Sequence, residues 1–156
     1  MNYWLMKSEP DVFGLEHLKA RTKQTAPWDG VRNFQARNFL RAMKRGDLVF
    51  FYHSSCAEPG VVAIAKVAKE AYPDHTSWDR NSDHFDPKST PERPLWYMVD
   101  VKLVRALKHP VPLERIKVEP ALKKMRLVQR GNRLSVMPIS VGEWKKILTL
   151  EKEKAK

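Results

Sequence analysis

Along residues 95–103 the side chains divide strictly by parity: Leu95, Tyr97, Val99, Val101 and Leu103 alternate with Trp96, Met98, Asp100 and Lys102. A helix repeats every 3.6 residues and a strand every two, so this stretch is an extended strand with one face wholly buried. The chain must therefore build a sheet. The remaining apolar runs show what kind of sheet it is. Residues 3–7 form a short aromatic and apolar run that stops at Ser8, Glu9 and Pro10, where proline removes a backbone donor and restricts the residue before it. Residues 48–52 are densely apolar, residues 61–67 are rich in β-branched side chains, and the Pro59–Gly60 turn between them makes a hairpin. Residues 134–139 supply a further strand.

Helical spacing is confined to short pieces. Residues 14–21 carry Leu15 and Leu18 inward. From Asn33 onward Ala36, Phe39, Leu40 and Met43 fall at i, i+3, i+4 and i+7, with Asn33 as the cap and Gly46 as the stop. Arg37, Arg41 and Lys44 or Arg45 occupy the opposite face as a basic stripe. Residues 113–117 and 120–125 form two helical turns, the second opening on Pro120. Ser140 and Glu143 fit a capping box ahead of a last helix that buries Trp144, Ile147 and Leu148. Short strands outnumber helices and do not alternate with them regularly, which gives an α+β class and a small, partly open β-barrel with peripheral short helices. One domain is expected over residues 1–150, followed by a solvated tail over 151–156.

Charge narrows the partners. Twenty-nine Lys and Arg against eighteen Asp and Glu leave a net charge of +11, which suits a polyanion; the plain alternative is a solvated basic surface. Cys56 is the single cysteine, so one chain forms neither an internal disulfide nor a thiolate metal cluster. No apolar run reaches the roughly 20 residues of a membrane span, and the first residues lack the pattern of a signal peptide. These features give the expectation of a cytoplasmic protein with no membrane partner.

Four segments carry a more specific signal. Tyr3 through Pro10 (YWLMKSEP), Trp28 through Asn38 (WDGVRNFQARN), Gly46–Asp47 through Phe51–Tyr52–His53–Ser54, and Gly131 through Pro138 (GNRLSVMP) occur in this order. Together they closely resemble the EVE-domain family, and Asp86–Pro87–Lys88–Ser89 also matches it. The resemblance spans almost the whole chain. It implies a PUA-like barrel, akin to the YTH readers of methylated adenine, with a concave pocket suited to one modified base in DNA or RNA. No cofactor and no metal are expected.

Reading a modified base inside a duplex means taking it out of the stack, at a cost of a few kcal/mol; stacking on an aromatic returns about 1–3 kcal/mol per base. Trp28, in a polar loop marked by Pro27, is the first stacking candidate and Tyr52 the second, each with plain core packing as the alternative. Asn33 and Gln35 offer amide donors and acceptors to a base edge, and Ser8, Ser54 and Ser135 offer hydroxyls. For Asn33 the competing role is helix capping. Lys7, Arg32, Arg37 and Arg41 are candidate phosphate contacts, which bring affinity and salt dependence without sequence information.

Other chemistries are weaker. His53–Ser54–Ser55–Cys56 places an imidazole and a thiol close in sequence, the start of a cysteine-dependent enzyme, but no oxyanion motif or phosphate loop accompanies it. Asp74, His75, Asp79, Asp83, His84 and Asp86 cluster in the proline-rich segment over residues 72–94, where a polar loop is the simpler account than a metal site. An RNA-binding module acting on tRNA or rRNA, without preference for modification, fits the same barrel and charge; contacts to the 2′-hydroxyl would separate it from a DNA reader.

Overall fold

The computed structural model describes residues 1–153 of the chain. Its strands are β1 (Tyr3–Ser8), β2 (Thr25–Pro27), β3 (Leu48–His53), β4 (Gly60–Pro73), β5 (Tyr97–Pro112) and β6 (Val136–Ile139). They form one mixed sheet in the order β2-β5-β4-β3-β1-β6. The β1–β3 pair is parallel and every other pair antiparallel. The α+β class is as expected. The pairing gives an open sheet, with β2 and β6 at opposite ends of the order.

The hairpin expected from residues 48–52 and 61–67 is present as β3 and β4, but β4 and β5 both run well beyond their alternating stretches. Register shifts explain why. Their pairing slips between Val61 and Ala63, Ile64 and Ala65, Val67 and Lys69, and Lys69 and Tyr72. Each irregularity breaks the period of two and adds local twist, so the strand continues while its sequence signature stops.

Five helices pack around the sheet: α1 (Pro10–Phe13), α2 (Leu15–Ala20), α3 (Phe34–Ala42), α4 (Leu113–Val118) and α5 (Val141–Lys152). Asn33 caps α3, its Oδ1 accepting from the Ala36 amide at 2.9 Å, and Ala36 and Leu40 are buried beneath it. The helix ends at Ala42, one turn earlier than expected. Gly46, with φ of +92°, forms the turn into β3 instead. The capping box of α5 is complete, with the Ser140 hydroxyl and Glu143 carboxylate each accepting the other's backbone amide. Trp144 on α5 stacks on Phe50 at 3.8 Å and on Tyr3 at 4.7 Å, fastening the helix to the sheet.

The expected solvated tail needs correction at its start. Glu151 lies inside α5 and is only 4% exposed; its carboxylate accepts from both terminal nitrogens of Arg105 and from the Lys108 amide. A bidentate guanidinium on β5 makes burial of that charge tolerable, a pairing invisible to local pattern. Residues 154–156 of the expected tail lie outside the described residues.

Candidate nucleic-acid interface

Stretches from several parts of the chain meet around a cleft of about 590 Å³: the end of β1 running into α1, with Lys7, Ser8, Glu9, Val12 and Phe13, then Arg21, the loop from Pro27 to Arg32, His84, and Ser135 before β6. Backbone pairing sets the walls. The Lys7 amide donates to the Ser135 carbonyl at 2.8 Å, and the Trp28 amide donates to the Val99 carbonyl at 2.8 Å, tying the loop to β5. Trp28 meets Phe51 edge to face at 5.3 Å and Phe13 at 6.1 Å. The indole is 7% exposed. Core packing and cleft lining, posed as alternatives by the sequence, are the same placement seen from two sides.

The loop beyond Trp28 is clamped from below. Gly30 has φ of +82°, which favours glycine, and a Cβ there would stand 2.7 Å from the His84 ring, which would have to swing aside. The fully buried Asp74 carboxylate accepts from the Gly30 amide (2.9 Å), Arg32 Nη1 (3.0 Å), the Thr76 amide (2.9 Å) and the Thr76 hydroxyl (2.6 Å). Burial alone would raise its pKa. The hydrogen bonds from Thr76, the Gly30 amide and Arg32 outweigh burial and hold the carboxyl below its ordinary range. Arg32 also donates from Nε to the His84 carbonyl at 2.8 Å, from Nη1 to the Val31 carbonyl and from Nη2 to Thr76. Proposed from sequence as a phosphate contact, its guanidinium is engaged in joining the two loops.

Lys7 is half-buried at the cleft, and burial lowers its pKa; no carboxylate pairs with it among the described residues. Its ammonium lies 5.9 Å from the centroid of the Tyr52 ring. Tyr52 itself is buried in the core beneath Lys7 and does not line the cleft; burial, with a smaller effect of Cys56, pushes its hydroxyl up to about 12. Ser54 sits beyond β3, its amide donating to the Ser8 carbonyl, and is likewise not part of the wall. Asn33 and Gln35 face a separate cavity with Arg126 and Arg133. On the outer side of α3, Arg37 lies over Phe34 at 4.8 Å and donates to the Leu95 carbonyl, and Arg41 lies over Tyr97 at 4.6 Å. The structure thus brings together Lys7, Ser8, Trp28, Arg32 and Ser135. Sequence reasoning missed Val12, Phe13, Arg21 and His84; the one available signal was Gly30, whose need for close approach implied a partner.

The imidazole of the His53–Cys56 segment has a structural task. Its Nε2 accepts from the Leu15 amide at 3.1 Å, satisfying the first turn of α2 with the lone pair a general base would need. Burial lowers the pKa of His53, so its neutral form is the folded one. Protonation favours the unfolded chain, and the stabilisation is complete above the unfolded value of about 6.5 and is lost as pH falls through the lower folded value. The melting temperature is therefore expected to fall between pH 7 and pH 5.5 more steeply in the wild type than in His53→Gln. Parallel curves would show that this imidazole does not couple to folding.

In the proline-rich segment Asp74 serves Arg32, and Asp86 accepts from Trp96 Nε1 at 2.8 Å and from the Lys88 amide. Among the described residues no group of three or more His, Cys, Asp and Glu side chains is placed to hold a metal ion. No helix among them is long and apolar enough to cross a membrane.

An open mixed sheet with short flanking helices, and a cleft at the end of β1 lined by Trp28 and the half-buried Lys7, make an α+β domain consistent with a PUA-like fold. The chain belongs to the EVE-domain family, whose model matches residues 2–150. It is 51% identical to mouse thymocyte nuclear protein 1, over 96% of this chain and 74% of that protein, and 47% identical to the human one, over 97% and 75%. Among solved structures it superimposes on human THYN1 protein in complex with 5-methylcytosine-containing DNA, with TM-score 0.95, 47% identity, and coverage of 99% of this chain and 100% of that one. A Pseudomonas syringae protein matches with TM-score 0.92 at 49% identity, over 96% and 99% of the two chains.

Proposed function

We propose that this protein is a non-enzymatic DNA reader that holds one flipped base, of the 5-methylcytosine class, in the cleft floored by Trp28. The observation that carries the reading is the placement of Trp28, Lys7, Ser8 and Ser135 around one cleft of about 590 Å³, within the size range of small-molecule sites. The likeness to a human relative solved with 5-methylcytosine-containing DNA supports it.

In this reading the base enters against the indole, and stacking worth about 1–3 kcal/mol offsets the loss of its neighbours. The Ser8 and Ser135 hydroxyls donate to or accept from the base edge, and the apolar side chains of Val12 and Phe13 receive a methyl group. Lys7 and Arg21 at the rim and Arg37 and Arg41 on α3 meet phosphates. Every assigned role is one of binding, and the one imidazole beside the cysteine is already engaged.

The test is binding, at two salt concentrations, to matched DNA and RNA oligonucleotides carrying cytosine, 5-methylcytosine, 5-hydroxymethylcytosine, adenine or N6-methyladenine. Tightest binding to 5-methylcytosine in DNA is the expected result. The double variant Arg37→Ala/Arg41→Ala should weaken modified and plain DNA alike and reduce the salt slope by about two. Equal affinity for cytosine and 5-methylcytosine would overturn the reading, and preference for the ribose strand would move it to RNA.

A further inference from the structure

A second cavity of about 420 Å³ draws residues from two of the backbone segments that line the cleft. The two meet at consecutive residues twice: Arg32 lines one and Asn33 the other, and Ser135 lines one and Leu134 the other. Two backbone segments, Arg32–Asn33 and Leu134–Ser135, therefore contribute to both sites.

Its chemistry differs from that of the cleft. Arg126 and Arg133 supply two guanidiniums, Gln35 and Gln129 two amides, and no acidic side chain lines it. Neither arginine is in an ion pair among the described residues, whereas Arg32, Arg105 and Arg115 each are. Arg126 is steadied by Phe39, whose ring centroid lies 5.4 Å from the guanidinium carbon. The loop that presents these groups is held by its own side chains. Gln129 Nε2 donates to the Lys123 carbonyl at 2.8 Å, Asn132 Nδ2 donates to the Arg126 carbonyl at 2.7 Å, and Asn132 Oδ1 accepts from the Leu134 amide at 3.2 Å. Gly131, with φ of +80°, turns the loop. Unpaired guanidiniums beside amides, on a braced loop, form a site for an anion that carries a hydrogen-bonding edge.

We propose that this cavity is a second nucleotide subsite, in which Arg126 and Arg133 hold the phosphodiester next to the flipped nucleotide while Gln35 and the free carbonyl of Gln129 meet the adjoining base. It rests on the reading of the cleft as a base pocket. It makes the reader grip the flipped nucleotide and its neighbour together, and it locates phosphate contacts on the loop before β6 as well as on α3.

The experiment measures binding of the full chain to DNA oligonucleotides of one sequence with a central cytosine or 5-methylcytosine. In a second set, the phosphodiester on either side of that base is replaced by a neutral methylphosphonate. In the wild type one of the two replacements is expected to weaken binding about tenfold. Arg126→Ala/Arg133→Ala should weaken binding to a similar degree, reduce the salt slope by about one, abolish the effect of the methylphosphonate, and leave the preference for 5-methylcytosine unchanged. Lys123→Ala/Lys124→Ala, exposed on the same segment but outside the cavity, serves as the control and should leave the methylphosphonate effect intact. An arginine variant that binds as the wild type does, or that keeps the full methylphosphonate effect, overturns the subsite while the cleft reading stands. Loss of affinity and of the methylphosphonate effect in that variant, with no wild-type preference for the modified base, overturns the cleft reading and with it the subsite's place beside a flipped base, leaving Arg126 and Arg133 as phosphate contacts. No binding to any oligonucleotide overturns both.

Discussion

Asp74→Ala is expected to lower the unfolding free energy by about 3–5 kcal/mol, the usual cost of removing one partner from a buried ion pair. The carboxylate has no exposed surface and serves four donors on two loops, while the Arg32 side chain it would abandon is 21% exposed. Against a typical domain stability of about 5–15 kcal/mol, that loss is large. Urea denaturation checks it. The loop from Trp28 to Arg32 would also lose its anchor, so weakened DNA binding should accompany the loss of stability. Asp74→Asn, which keeps an acceptor for Gly30 or Thr76 without the charge, should fall between the two. Because the folded carboxyl titrates below its unfolded value, its contribution is present above about pH 4 and disappears as pH falls through the folded value, so wild type and variant should converge in acid. A change below about 1 kcal/mol at neutral pH would show that the clamp is not what holds the loop.

Trp28→Ala should abolish the preference for a modified base and reduce affinity by roughly 5- to 150-fold, the equivalent of about 1–3 kcal/mol of stacking. It also empties a core position between Phe13 and Phe51, at a cost of about 3–5 kcal/mol in stability. Trp28→Phe separates the two effects, because a smaller ring preserves most of the edge-to-face packing and presents less surface to a base. The phenylalanine variant should melt within a few degrees of the wild type while losing part of its affinity. Full affinity and undiminished preference in a folded Trp28→Phe or Trp28→Ala protein would remove the indole from the site.

Residues whose partners lie close in sequence were legible before the structure. Asn33 as a cap, the Ser140–Glu143 box and the β3–β4 hairpin all depend on neighbours within a few positions or a single turn. Trp28 was marked as a site residue by its polar loop and by the family segments around it. What escaped was contact at long range. Arg32 and Asp74 are 42 positions apart, and Glu151 and Arg105 are 46 apart. The sequence assigned one of each pair to solvent or phosphate because nothing local supplies a counter-charge. The far halves of β4 and β5 were missed for another reason: register shifts between Val67 and Tyr72 on β4, and between Leu103 and Val111 on β5, disturb the alternation by which a strand is recognised. His84 was noticed only as one of several potential ligands, since its position under Gly30 depends on packing rather than on spacing.

The pairing of β1 with β6 has a consequence for how the chain acquires its activity during synthesis. Tyr3 is opposite Ile139, and the wall of the cleft that begins with Lys7 is completed by Ser135. A nascent chain has made Trp28 long before the ribosome reaches the residue that closes the pocket around it. Contacts so far apart make folding slow, on the scale of milliseconds to seconds for sheets dominated by distant pairing. Until that last strand docks, the open edge of β1 can pair with nothing but other chains, and the half-built pocket has no opposite wall to hold a ligand. A fragment that ends before β6 is therefore expected to lack the wall that Ser135 supplies to the cleft.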